Sequence, residues 1–170
     1  MQSRRFAVDI KYSIFQPKII IWLLSLIMFA HGAAAMSFFN PTKTCVFSEV
    51  SARLTLNGEP LRNMTVTREW NWHKRKSDKA ITDSNGHVSF PAVYESSVTR
   101  LLPAEIVIGQ RLSIEIDGET TIFWQNAKRE SMENSEYGGS PFDVTCELTE
   151  EKVLIEDFGS LMATMCKLEK

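Results

Sequence analysis

Residues 48–93 read SEVSARLTLNGEPLRNMTVTREWNWHKRKSDKAITDSNGHVSFPAV. Up to Leu56 the apolar residues occupy every second position, which is the pattern of a half-buried β-strand. Asn57-Gly58 follows as a strong tight-turn signal, and a second alternating run covers residues 64–72. The stretch therefore predicts β-strands joined by short turns.

The alternating pattern continues through the rest of the chain, with Asp117-Gly118 as a further hairpin turn. No ten-residue amphipathic helix is evident after residue 35, which disfavours an α/β fold. About seven strands at such intervals predict an all-β fold, a single β-sandwich. The predicted strands cover about 45–56, 64–72, 80–82, 87–90, 106–116, 120–125 and 142–148, with a short eighth at 153–155. The side chains predicted to face the interior include Leu54, Val66, Phe90, Ile114 and Val144.

Four segments lack a clear strand pattern. Residues 73–79 are predicted to be a charged connection, and 94–102 are compatible with one helical turn. Residues 127–139 are predicted to be a long polar loop or a frayed helical piece. The core is expected over about 45–156, and the tail, 157–170, is predicted to hold a short helix.

Residues 48–93 also resemble the transthyretin-like, carboxypeptidase-regulatory-like pattern. In that pattern a strand is followed by an NG-x-P-L-x-N turn, a V-T strand and T-D-x-N-G-x-V-S-F-P. With KTCVFSEV, IFWQNAKRE and PFDVTCEL, the chain is similar to a bacterial family of uncharacterised exported domains. The resemblance implies the sandwich fold and an accessory or adhesion-type role. The His- and Arg-containing motifs of transthyretin-related hydrolases are missing here.

The N-terminal segment has the layout of a secretory signal peptide. Basic residues lie within 1–18, an apolar run follows, and Ala33 and Ala35 form the small-x-small end. We predict cleavage after Ala35, which leaves residues 36–170 as one periplasmic or extracellular domain. An uncleaved inner-membrane anchor over 19–35 is the alternative, with the domain still outside. Translation from Met36 would instead place the domain in the cytoplasm.

The charge of the domain limits its partners. The whole chain is 44% hydrophobic and 24% charged, which is ordinary globular composition. Residues 36–170 keep 15 of 19 basic and 20 of 21 acidic residues, so the net charge is −5, against −2 for the whole chain. An acidic domain repels nucleic acid and anionic lipid headgroups. Nucleic acid is therefore not an expected partner, and membrane contact is expected only through the N-terminal segment if it stays uncleaved.

Three cysteines, Cys45, Cys146 and Cys166, match no Cys-x-x-Cys motif. An exported domain lies where disulfides form. The first and last strands of a sandwich are often neighbours, so we predict a Cys45–Cys146 disulfide with Cys166 left over. The alternative is that Cys146 is simply a small buried hydrophobic residue.

Three tryptophans are the candidate ligand or partner surface. Trp70 and Trp72 lie two residues apart on one face of a strand, and Trp124 lies on a later strand. Rows of aromatic rings stack on sugars or on the side chains of a partner. Core packing competes with this interpretation and is the one we favour, because Trp70 and Trp72 share the parity of Val66. Arg68 has that parity too, which suggests that this end of the strand leaves the core.

No catalytic motif stands out. A Gly-x-Ser-x-Gly elbow is missing, Cys146 lacks a basic neighbour, and His73 and His87 have no metal-ligand spacing. We expect no catalytic site, no metal and no cofactor. The leading hypothesis is a non-enzymatic exported β-sandwich that binds a protein or a cell-envelope component. The alternatives are a carbohydrate-binding module on Trp70 and Trp72, and a small hydrolase with an unidentified site.

Overall fold

A computed structural model of the chain describes residues 43–97 and 105–169. These residues are almost entirely β-structure, with thirteen strands and one 3-10 helix at Ser135–Tyr137. The predicted all-β sandwich class is confirmed, and the strands outnumber the prediction because several hold only two to four residues. The strands are β1 Lys43–Phe47, β2 Val50–Leu56, β3 Glu59–Pro60, β4 Thr65–Asn71, β5 Arg75–Ile81, β6 His87–Phe90, β7 Val93–Ser96, β8 Ile108–Ile116, β9 Glu119–Lys128, β10 Phe142–Glu147, β11 Val153–Ile155, β12 Met162–Thr164 and β13 Cys166–Leu168.

The strands of the described residues form three sheets. The six-stranded sheet has the order β11-β12-β9-β8-β4-β5. The five-stranded sheet has the order β13-β10-β2-β3, and β6 also pairs with β2. A two-stranded sheet joins β1 to β7. All described pairings are antiparallel except that of β10, which runs parallel to β2.

Side chains from the two large sheets share one hydrophobic core. All five residues whose inward orientation was predicted are at most 3% exposed. Their alternation along each strand is what places them on the same side of a sheet. The sequence thus identified the core-facing side of the principal strands: Leu54, Val66, Phe90, Ile114 and Val144.

The structure corrects the sequence-based elements at four places. The first predicted strand is divided at Ser48–Glu49, and β1 pairs with β7 rather than continuing beside β2. The predicted helical turn near residue 94 is β7, and the charged connection 73–79 lies largely in β5. Because β5 is an edge strand, its charged side chains reach water without leaving the sheet. The tail forms β12 and β13, one in each large sheet, so the core extends past residue 156.

The predicted Cys45–Cys146 disulfide is wrong. Cys146 on β10 stands directly opposite Cys166 on β13, and these two residues form the disulfide. Cys45 is a free, buried thiol, and burial raises its pKa. The prediction assumed that the first and last strands are neighbours, but β1 pairs with β7 in a separate sheet and not with β10. The C-terminal segment takes the place beside β10 instead.

We expect replacement of both Cys146 and Cys166 by alanine to lower the free energy of unfolding by about 3 kcal/mol, since the bond closes a loop between residues 20 apart. Urea unfolding of the oxidised protein and of the double variant measures this loss. Cys45→Ala is the control, and it should keep the disulfide. Thiol labelling of the unfolded, unreduced protein should modify Cys45 alone, and labelling of Cys166 instead would contradict the assignment.

The predicted signal peptide, its cleavage after Ala35 and the alternative anchor over 19–35 lie outside the described residues. Among residues 43–97 and 105–169, no helix is long and apolar enough to cross a membrane.

Candidate functional site

The three candidate tryptophans do not form an exposed aromatic row. Trp124 is fully buried, and Trp70 is 7% exposed. The indole Nε1 of Trp70 donates a 2.6 Å hydrogen bond to Glu95. Trp72 is half-buried, and its ring lies 4.2 Å from that of His73. Inward parity on β4 and β9 places Trp70 and Trp124 in the core, as the core-packing interpretation predicts, so these two residues do not form the candidate ligand surface.

A cluster of polar side chains lies inside the sandwich: Ser48, Gln110, Asn126, Lys128 and Glu136, which we call the buried polar cluster. Each is at most 5% exposed. The Lys128 Nζ lies 2.9 Å from the Glu136 carboxylate. The Ser48 hydroxyl donates a 2.6 Å hydrogen bond to that carboxylate, and the Gln110 amide donates one of 2.8 Å. The cluster fastens the β1–β2 junction and the loop after β9 to the inner face of the six-stranded sheet.

The electrostatics of the buried polar cluster favour an ionised carboxylate. Burial by itself raises the pKa of Glu136, but the Lys128 ammonium and the hydrogen bonds from Ser48 and Gln110 outweigh it, so the pKa lies below its usual range. The side chains of the ion pair are 1% and 0% exposed. The pair is thus enclosed, and its contacts connect the β1–β2 junction and the segment after β9 to the six-stranded sheet.

Arg68 stays in the core, as its inward parity requires, although a charged residue at this position suggested that the strand leaves the core. Its guanidinium donates two hydrogen bonds to Asp78, of 3.0 and 2.6 Å, and one of 2.7 Å to the carbonyl of Pro91. It also lies 4.7 Å from the ring of Phe90 and 5.2 Å from that of Phe47. Arg68 therefore ties the edge strand β5 and the β6–β7 link to the interior.

A serine, a histidine and an aspartate meet on the outer face of the five-stranded sheet. The Ser51 hydroxyl donates a 2.8 Å hydrogen bond to Asp143, and it lies 3.1 Å from Nε2 of His87. Because the single hydroxyl proton goes to Asp143, His87 acts as the donor to Ser51. A nucleophilic triad needs the histidine between serine and carboxylate, accepting the serine proton. Here the serine is in the middle, and this order does not activate it.

A groove crosses the outer face of the six-stranded sheet and encloses about 400 Å³, within the range of small-ligand clefts. We call it the sheet groove. Its floor contains three small residues on neighbouring strands, Gly109, Ala127 and Ala163. Gly109 pairs with Ala127 across β8 and β9, so two side chains that would fill the middle of this face are absent or minimal.

One end of the sheet groove is polar. Its side chains come from β5, β4, β8 and β9, and they are Arg75, Asn71, Glu69, Arg111 and Gln125. The Arg111 Nη1 lies 3.6 Å from the Glu69 carboxylate, so this ion pair is loose. With two arginines and one glutamate, the end carries a local charge of +1.

The other end of the sheet groove is aliphatic. It is bounded by Leu154 on β11 and Leu161 just before β12. These leucines are 72% and 51% exposed, respectively. Exposed aliphatic side chains grouped beside a cleft are typical of a binding surface rather than of ordinary solvent-facing sheet.

The backbone does not require glycine at position 109. A Cβ built there meets nothing nearer than Asn71, at 3.9 Å, which is ordinary contact. Glycine inside a strand weakens it and often marks a place where a ligand approaches closely. The sequence signal was present, since the predicted strand over 106–116 contains this glycine, but nothing local showed that a groove lay above it.

We expect Gly109→Ala to raise the free energy of unfolding by about 0.5–1 kcal/mol, because alanine loses less backbone entropy on folding. Thermal and urea unfolding measure the change. The contrasting variant is Gly86→Ala, which should destabilise the protein because Gly86 has φ +76° and a Cβ there would lie 2.4 Å from the Leu54 carbonyl oxygen. Destabilisation by Gly109→Ala would show that the fold itself needs this glycine.

The comparisons with known proteins give a family. Residues 50–151 match the family described as Domain of unknown function (DUF6795). The chain belongs to this family. The matched range runs from the start of β2 to just before β11. It contains Arg68, Gly109 and both residues of the buried ion pair, but neither leucine of the sheet groove nor Cys166. No curated protein and no solved structure matches the chain.

Proposed function

We propose that this DUF6795 protein is an exported, non-catalytic binding domain that recognises a partner protein or a cell-envelope component through the sheet groove. The observation that carries the proposal is the groove itself, with a glycine in its floor that the backbone does not require. Residues that weaken a strand without a structural need are often explained by a ligand.

Export is supported by two independent features. The basic and apolar N-terminal segment ending at Ala35 has the layout of a signal peptide. The Cys146–Cys166 disulfide is a bond that persists in oxidising compartments and is rare in the cytosol. The domain is therefore proposed to work in the periplasm or outside the cell, either released or held by an uncleaved anchor.

A binding role rather than catalysis is supported by the polar side chains. The Lys128–Glu136 ion pair of the buried polar cluster is enclosed, and the Ser51 hydroxyl donates to Asp143 instead of to His87. The resemblance of residues 48–93 to the transthyretin-like pattern also favours an accessory role, because modules of that pattern are generally accessory or adhesion-type units.

The test is recovery of a partner from the native compartment. The tagged protein is crosslinked in intact cells and purified, and its companions are identified by protein and lipid mass spectrometry. Gly109→Leu, whose side chain fills the sheet groove, should lose the partner. Arg53→Ala, an exposed change on the other large sheet, should keep it. Equal recovery with all three proteins would overturn the proposal.

A further inference from the structure

The cationic end of the sheet groove has unused binding capacity. Within residues 43–97 and 105–169, the Arg75 guanidinium makes no hydrogen bond and no ion pair. Arg111, across the groove end, has only the 3.6 Å contact with Glu69. Guanidinium groups bind carboxylates with two parallel hydrogen bonds. An anionic group is therefore the natural complement of this end.

The sheet groove changes from charged to aliphatic along its length. It crosses the strands in the order β5, β4, β8, β9, β12 and β11. With strands roughly 4.8 Å apart, the distance from Arg111 on β8 to Leu154 on β11 is roughly 14 Å along the sheet, close to the length of an extended ten-carbon chain. A ligand lying in the groove would have its charge between Arg75 and Arg111 and its apolar part over Ala127, near Leu154 and Leu161.

The floor of the sheet groove disfavours a peptide or a sugar. Strands β4, β8 and β9 are each paired on both sides. Their backbone N–H and C=O groups therefore already have partners and cannot form a further ladder of hydrogen bonds with an extended peptide. Sugars are held by exposed aromatic faces, and the one aromatic residue of the lining, Trp70, is 7% exposed and bonded to Glu95. A flexible aliphatic chain needs neither backbone hydrogen bonds nor an exposed aromatic face.

We propose that the sheet groove binds a single-chain amphiphile bearing a carboxylate, with the carboxylate on Arg75 and Arg111 and the chain against Leu154 and Leu161. This inference rests on the proposed binding function of the same groove. It concerns a single dissolved molecule rather than a membrane surface. The net charge of −5 over residues 36–170 repels anionic headgroups as a whole, whereas the groove end is locally positive.

The experiment is a calorimetric titration of the protein as recovered from cells, purified without detergent. The probe is decanoate. Decyltrimethylammonium carries the same chain with the opposite charge, and acetate carries the same charge without the chain. Decanoate should bind saturably, and both controls should bind at least roughly tenfold more weakly, because decyltrimethylammonium loses the charged contact and acetate loses the burial of the chain.

Variants then locate the site. Arg75→Ala should weaken decanoate binding roughly tenfold, and Gly109→Leu should abolish it. Lys79→Ala is the matched control, because Lys79 is an exposed cation on the same face of β5 outside the groove, and it should leave the affinity unchanged. Equal weakening by Arg75→Ala and Lys79→Ala would overturn the proposal, since the effect would then be one of general charge. Tighter binding to anionic phospholipid vesicles than to decanoate would also overturn it.

The failures of the two proposals are distinguishable. If decanoate does not bind but Gly109→Leu still loses the crosslinked partner, the groove is a binding site and the amphiphile assignment is wrong. Recovery of a protein as that partner would then favour a polypeptide ligand. If Gly109→Leu affects neither measurement, both proposals are wrong.

Discussion

Glu136→Gln is expected to lower the free energy of unfolding by about 3–5 kcal/mol, because it leaves the Lys128 ammonium buried without a counter-charge. The lysine side chain is 1% exposed, so water cannot replace the lost carboxylate. Lys128→Met should be similarly costly, since it leaves the Glu136 carboxylate unpaired. The double variant should lose much less than the sum of the two, because it buries no lone charge. Urea unfolding of the four proteins measures these energies.

The matched control is an exposed pair of the same chemistry. Lys167 lies 2.7 Å from Glu150, but the side chains are 75% and 45% exposed. Lys167→Met should therefore cost less than about 1 kcal/mol. If Glu136→Gln costs no more than Lys167→Met, the buried pair does not contribute as the structure indicates.

The buried pair also predicts a pH dependence. Because the pKa of Glu136 is lowered in the folded protein, its contribution to stability is fully present above the ordinary carboxyl pKa and is lost as the pH falls through the folded value. The free energy of unfolding of the natural protein should therefore decline on the acid side. The double variant at positions 128 and 136 should show a shallower decline, and an unchanged slope would contradict this assignment.

Asp78→Asn is expected to lower the free energy of unfolding by about 3–5 kcal/mol, because the Arg68 guanidinium is wholly buried and would keep an uncompensated charge. Arg68→Met should cost less, because it leaves the charge on Asp78, whose side chain is 40% exposed and can be hydrated. This asymmetry follows from the different burial of the two partners and not from their bond lengths. Denaturant unfolding of the two variants measures it.

Arg111→Met serves as the control for the Arg68–Asp78 ion pair. Arg111 is 42% exposed and lies 3.6 Å from Glu69, so its loss should cost under about 1 kcal/mol. A larger loss from Arg68→Met than from Asp78→Asn would show that packing of the arginine against Phe47 and Phe90 dominates over its charge.

Buried polar residues were the part of the core that the sequence could not assign. The parity of Arg68 on β4 is that of Val66 and Trp70, which is an inward position, yet a charged residue there suggested that the strand leaves the core. The partner that makes burial possible, Asp78, lies ten residues on in β5. Glu136 and Lys128 likewise come from the 3-10 helix and the end of β9, which no local pattern joins.

The sequence by itself determined the principal strands and their inward sides, because alternation along an extended chain sets which side chains share a face. It also marked the turn after Leu56 and the presence of a glycine within β8. Only the tertiary structure decided the partner of Cys146, the partner of Arg68 and the groove above Gly109. These depend on which distant strands become neighbours, and strand pairing is a long-range choice that local alternation leaves open. The tail illustrates this, since β12 and β13 complete both large sheets from a segment with no clear period of its own.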